Sequence, residues 1–221
     1  MTQRKVVFAT NEIYHLFNRS VAREHIFASN VELRRLFELM EYYYQPQTIR
    51  LSKFKRLPEN IKRDYTLLNS RKTPLVEIYT FAFMPNHYHF LIKQVQDGGI
   101  VRFISNIQNS FAKYFNLKSD RDGSLFLNPF KAKRVETDEQ FIHVSRYIHL
   151  NPVTSYIIEF NKLDKYLWTS YCHYVNNTNL PFLNTKNILE MFKSKREYSQ
   201  FVADQVDYQR NLHLIKDQIV E

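Results

Sequence analysis

The chain has 221 residues, 44% of them apolar, with a formal charge of +9 and a pI near 9.5. It is too apolar and too aromatic for a disordered segment and long enough to bury a proper core. Its single cysteine, Cys172, excludes an intrachain disulfide and a thiolate zinc site. No N-terminal apolar core with a cleavage site occurs and no apolar run nears membrane-spanning length, so a reduced, cytoplasmic protein with no membrane partner is expected. The positive excess favours a polyanionic partner, because lysines and arginines that neutralise phosphates release condensed counterions. Basic charge alone is weak evidence, since many soluble proteins carry it.

Residues 12–18 alternate well enough for a first strand, followed by a basic turn at 19–23. Ser29 or Asn30 is the expected N-cap of a helix carrying Val31, Leu33, Leu36, Phe37, Met40 and Tyr44 on one side. Residues 46–74 lack a clear pattern and read as a long surface excursion, partly helical around 60–68. The β-branched and aromatic run Val76–Met84 reads as a strand. Pro85-Asn86 breaks it, and 87–95 continues as a second strand.

After Gly98-Gly99, residues Ile100, Phe103, Ile104, Ile107, Phe111, Tyr114 and Phe115 form a helical stripe. A loop at 120–124 leads to the basic stretch 131–134. Thr137 or Asp138 then caps a helix packing through Phe141, Val144 and Ile148, and Pro152 is expected to end it near Asn151. Beyond Leu163 two or three helices are expected, for example 187–195 and 196–206. Strands followed by helices indicate an α+β fold, an antiparallel sheet with helices on one face.

Two constellations can carry chemistry. His87 and His89 flank Tyr88, and in a strand such residues point to one face, so both imidazoles can converge on one ion. Imidazole nitrogens tolerate a Mn²⁺ or Mg²⁺ site completed by phosphate oxygens. An isolated His-x-His is more often a pair of partly buried, hydrogen-bonded histidines. In the second constellation, helical spacing puts His143, Tyr147 and Asn151 on a shared face. A tyrosine hydroxyl is a poor nucleophile near neutrality, but a metal polarising the scissile phosphate makes its attack feasible. The Asn151 amide oxygen can reach the same ion. Spacing alone does not separate Tyr147 from the other fourteen of the chain's 15 tyrosines.

Three separated segments, YHLFNRSVAREHIF, MPNHYHFLI and SRYIHLNPV, together resemble the single-tyrosine HUH transposases, in particular a branch associated with repetitive extragenic palindromes. The likeness runs in order from Tyr14 to Val153 and continues more loosely through WTSYCHYV and EYSQFV. It implies a ferredoxin-like core with antiparallel strands, a catalytic domain over residues 1–160 and a helical extension over 161–221. It implies that His87 and His89 bind the metal, that Tyr147 forms a covalent link to a DNA 5′ phosphate, and that Asn151 is the supplementary ligand.

The expected reaction is metal-dependent cleavage and rejoining of single-stranded DNA beside a hairpin. Arg19, Arg23, Lys131, Lys133 and Arg134 are candidate phosphate contacts, although any one of them alone is more often a solvated charge. A single-stranded DNA with hairpin or palindromic ends is the expected partner, and the resemblance leaves both a monomer and a homodimer open. Asn128-Pro129-Phe130 stands where relatives often carry a glycine and an arginine, and residues 46–74 exceed the length of the shortest members. Two other readings compete: a cleavage-inactive domesticated relative that grips DNA hairpins, and an unrelated phosphodiesterase in which His87 and His89 activate water.

Overall fold

Alternation along the first strand, β1 (Ile13–Arg19), sets the geometry around it. Tyr14 and Leu16 are buried on one face, while His15 and Phe17 point to the other. The structure, a computed structural model, describes residues 6–176 and 178–211.

After a 3₁₀ turn at Val21–Arg23, helix α1 (Asn30–Tyr43) opens at Ser29, whose hydroxyl accepts the Val31 amide. The segment 46–74 holds two helices, α2 (Leu51–Phe54), which was not expected, and α3 (Glu59–Ser70), which covers the helical stretch expected around 60–68. Aromatic packing holds them: Phe54 sits 5.3 Å from Tyr42 and 5.5 Å from Tyr65, ring to ring. The Tyr65 hydroxyl donates to Gln47 and accepts the Thr48 amide.

Strands β2 (Val76–Met84) and β3 (His87–Gln94) then form a hairpin. Helix α4 (Gly99–Lys118), strand β4 (Lys131–Val135) and helix α5 (Asp138–Thr154) come next. The antiparallel sheet has the order β2-β3-β1-β4. The basic stretch, which has no clear strand signature, is therefore its edge. Between Ile78 and Thr80 the β2 register shifts, so Tyr79 is an extra residue opposite β3. A one-residue bulge reverses the parity of everything after it. Val76 and Ile78 before it, and Phe81 and Phe83 after it, consequently share one core.

The expectation of helices on one face is corrected: they cover both. One core joins Tyr14, Leu16, Tyr88, Phe90 and Ile92 to α1 and α4. The other joins Tyr79, Ala82, Leu91 and Val135 to α5 and the C-terminal helices. The reason is that β2, β3 and β4 together place Tyr79, Ala82, Leu91 and Val135 on the second face, so it too needs a cover.

Helix α5 also outruns its expected end, continuing through Pro152 to Thr154. Proline lacks the N–H that would bond one turn back, yet this late in the helix only a single bond is lost. The Thr154 hydroxyl and Ser155 amide donate to the carbonyls of Leu150 and Asn151 and hold the last turn. The C-terminal helices are shorter than expected. After a 3₁₀ turn at Phe160–Lys165 come α6 (Tyr171–Val175), α7 (Lys186–Leu189) and α8 (Lys195–Ala203). The Asn184 side chain accepts the Lys186 amide at the start of α7 and the Ser194 hydroxyl the Glu197 amide in the first turn of α8, and these caps set the boundaries.

The division expected at residues 160 and 161 falls inside the 3₁₀ turn, and residues on both sides share one core. Buried His149 bonds the Ser170 hydroxyl at 2.7 Å and the Tyr198 hydroxyl at 2.8 Å, tying α5 to the segments that carry α6 and α8. Burial lowers its pKa to about 3, so it is neutral near pH 7.

Gly99 packs against the chain at Leu75, whose carbonyl accepts the Val95 and Gln96 amides. A Cβ there would lie 2.2 Å from that carbonyl oxygen. Gly99→Ala should therefore destabilise the fold by about 1–3 kcal/mol, read as a lowered urea midpoint at unchanged slope. An unchanged midpoint would mean the turn yields freely.

Candidate active site

The register of the three strands assembles the site. In antiparallel pairs, directly opposed residues project to the same face. Phe17 opposes His89 and Arg19 opposes His87, so His15, Phe17, Arg19, His87 and His89 share one face. From the other side of β1, Lys131 opposes Phe17 and Lys133 opposes His15. Helix α5 covers this face and brings the Tyr147 ring to 5.7 Å from His89 and 5.8 Å from His15, centroid to centroid.

His87 and His89 are therefore side by side, with ring centroids 5.1 Å apart and planes at 81°. His87 Nδ1 bonds the Asn86 side-chain oxygen at 2.6 Å. His89 is buried, and its Nδ1 lies 2.9 Å from Nε2 of buried His15. Burial, followed by the charges of His15, His87 and Arg19, holds His89 well below the usual imidazole range. Burial and Lys133 lower His15 to about 4. Both rings are consequently neutral near pH 7, the state in which imidazole offers a lone pair.

Burial raises the pKa of the Tyr147 hydroxyl, while the Asn151 amide and Arg19 oppose that rise. The Asn151 Nδ2 donates to the Tyr147 carbonyl at 2.8 Å, one helical turn back, which leaves its amide oxygen for other partners. His143, on the same nominal face, turns away instead: its ring lies 5.5 Å from Phe201 on α8.

The five candidate phosphate contacts divide. Arg19 is exposed at the mouth of the site, and Lys131 and Lys133 are exposed on the same sheet face. Arg134 opposes Tyr14 and so points to the opposite face, where it pairs with Glu12 at 2.8 Å. Arg23 is exposed in the 3₁₀ turn, and its carbonyl accepts the Asn86 side chain. In the atypical 128–130 loop, Phe130 is buried and stacks on Phe8 at 5.9 Å. The residue that motif reading missed is His15. Its signal was the alternation that puts it on the same strand face as Phe17 and Arg19.

Among the described residues no group of three His, Cys, Asp or Glu side chains can hold a metal. The candidate donors are different: the imidazoles of His87 and His89 and the amide oxygen of Asn151. Such a set suits a borderline divalent cation that keeps coordination positions for phosphate oxygens.

Residues 8–151 match the family model of the IS200-like transposases, a span that includes His87, His89, Tyr147 and Asn151. The chain belongs to the IS200-like transposase family. No curated protein matches it. Among solved structures, a REP-associated tyrosine transposase bound to a REP hairpin aligns with a TM-score of 0.50 at 12% identity, over 82% of this chain and 96% of the other. That likeness establishes a shared fold. The matched family span of this IS200-like transposase ends within α5, so α6 to α8 lie outside it, although they pack on the same core. No helix among the described residues is long and apolar enough to cross a membrane.

Proposed function

We propose that this IS200-like transposase cleaves and rejoins single-stranded DNA beside a hairpin through a covalent 5′-phosphotyrosine at Tyr147. The observation that carries this reading is the convergence of Tyr147, His89 and His87 on one face, with Asn151 a turn from the tyrosine. The hairpin is taken from the related fold, whose solved representative is bound to one.

The Tyr147 oxygen attacks the scissile phosphorus, the bond to the 3′ oxygen breaks, and a 3′ hydroxyl departs with a proton. Attack by a 3′ hydroxyl on the phosphotyrosine reverses the step, so the bond is conserved without nucleotide hydrolysis. His87 and His89, through unprotonated ring nitrogens, and the Asn151 amide oxygen would hold a Mg²⁺ or Mn²⁺ ion. When bound, that ion acts as a Lewis acid on the phosphate. Arg19 lies where it favours the phenolate form of Tyr147, against the desolvation that disfavours it. Exposed Lys131 and Lys133 hold the phosphate backbone against the same face.

Incubation of the full chain with a single-stranded DNA hairpin from the gene's own flanks and Mn²⁺ should yield a denaturation-resistant adduct. A free 5′ phosphate with no adduct would point to water as nucleophile. Binding without any cleavage would point to a hairpin-binding protein.

The division among the basic residues gives a separate expectation. Each phosphate contact removed should flatten the slope of log affinity against log salt by about one unit. Lys131→Ala with Lys133→Ala should lower the slope for hairpin binding measured by fluorescence anisotropy, and Arg134→Ala should leave it nearly unchanged. An equal effect of Arg134→Ala would move the DNA path to the other sheet face.

A further inference from the structure

One buried polar contact in the site joins two histidines of which only one belongs to the HUH pair. His15 Nε2 and His89 Nδ1 are 2.9 Å apart, both side chains are buried, and their rings stack with centroids 5.2 Å apart at 23°. Two ring nitrogens 2.9 Å apart share one proton: one ring must donate and the other accept. If His15 donates, the His89 proton sits on Nε2 and neither His89 nitrogen can bind a cation. If His89 donates from Nδ1, its Nε2 carries a free lone pair on the side away from β1.

We propose that His15 is a positioning residue that accepts the His89 Nδ1–H and thereby fixes His89 as an Nε2 ligand for the divalent cation. This rests on the metal-dependent reading of the site. Metal-binding histidines are commonly oriented through their second nitrogen in this way, by a carboxylate or a carbonyl, and loss of such a partner costs about 10–100-fold in metal affinity. Here another imidazole fills that place. It can do so because a ring nitrogen without a proton accepts as a carbonyl oxygen does. The sheet order supports the assignment: β1 lies directly beside β3, and the backbone register holds the two rings together. His15 also touches the Tyr147 ring, so one side chain braces both the ligand and the nucleophile.

The test has two arms on the full chain. Long-range proton–nitrogen NMR of ¹⁵N-labelled wild-type protein should show His89 protonated at Nδ1 and unprotonated at Nε2. The reverse tautomer would overturn the proposal, whatever any variant does. In the second arm, Mn²⁺ binding is followed by EPR for wild type, His15→Phe and His15→Gln. The phenylalanine keeps the buried ring but cannot accept, so affinity should fall about 10–100-fold. The glutamine carbonyl can accept, so it should recover most of the affinity. Wild-type-like Mn²⁺ affinity in His15→Phe would sink the role of His15 and leave the metal-dependent reading intact. No Mn²⁺ binding by wild type would sink that reading, and this proposal with it.

Discussion

Tyr147→Phe should abolish the covalent protein–DNA adduct, by at least about 10³-fold in rate, while hairpin affinity stays within about twofold. The substitution removes one oxygen and keeps the ring that packs edge-on against His15 and His89. The fold should tolerate it, because the hydroxyl is not what holds α5: the helix is anchored by its apolar face and by the His149 network. Tyr156 and Tyr166 are the nearest alternatives in sequence, and both lie beyond the end of α5. Tyr156 is exposed with the Arg210 guanidinium against its ring, and its Phe variant should form the adduct normally. The same holds for Tyr166→Phe. Denaturing gels with labelled hairpin DNA, followed by peptide mapping of the adduct, decide the matter. If Tyr147→Phe still becomes attached at the wild-type rate, the nucleophile is another residue.

His87→Ala and His89→Ala should each cost far more in divalent-metal affinity and cleavage than in hairpin binding. The separation is expected because phosphate contacts by arginines and lysines supply most of the affinity for DNA. A lost ligand should weaken metal binding by more than the 10–100-fold typical of an outer partner, that is by at least about 100-fold. The two variants differ in what else they disturb. His87 is half-buried at the start of β3, so its removal leaves the core intact. His89 is buried among His15, Phe17 and Tyr147, so its truncation leaves a cavity and strands the His15 nitrogen. His87→Ala is therefore the cleaner probe, and His89→Ala needs a thermal-melt control. Calorimetry with Mn²⁺ and gel shifts with the hairpin, on the same preparations, provide the comparison. Parallel loss of metal and hairpin affinity would mean that the histidines serve DNA binding itself.

Much of this site was legible in the chain because it rests on short-range periodicity. Val76–Met84 and the residues after Pro85 carry strand composition on either side of a turn, and two-residue spacing is enough to put His87 and His89 on one face. The 3.6-residue period places Asn151 a turn above Tyr147 and lays out the α4 stripe from Ile100 to Phe115. Tyr147 itself was singled out by the order of three motifs, since fifteen tyrosines have no local property that ranks them.

Other features depend on which strands become neighbours, and no local pattern carries that. His15 and His89 are 74 residues apart, and they meet only because the order β2-β3-β1-β4 sets β1 against β3 in one register. A shift of a single residue would have turned His15 into the opposite core and Leu16 into the site. The same register divides a basic stretch, sending Lys131 and Lys133 to the face of the two histidines and Arg134 to Glu12. Helices cover both faces because several strands together place apolar residues on each, and α5 runs past Pro152 because its last turn is packed and rebonded through Thr154. Residue type and local spacing determined which side chains are candidates for the proposed chemistry. Strand pairing, a cooperative choice among distant segments made by burial, decided which of them meet.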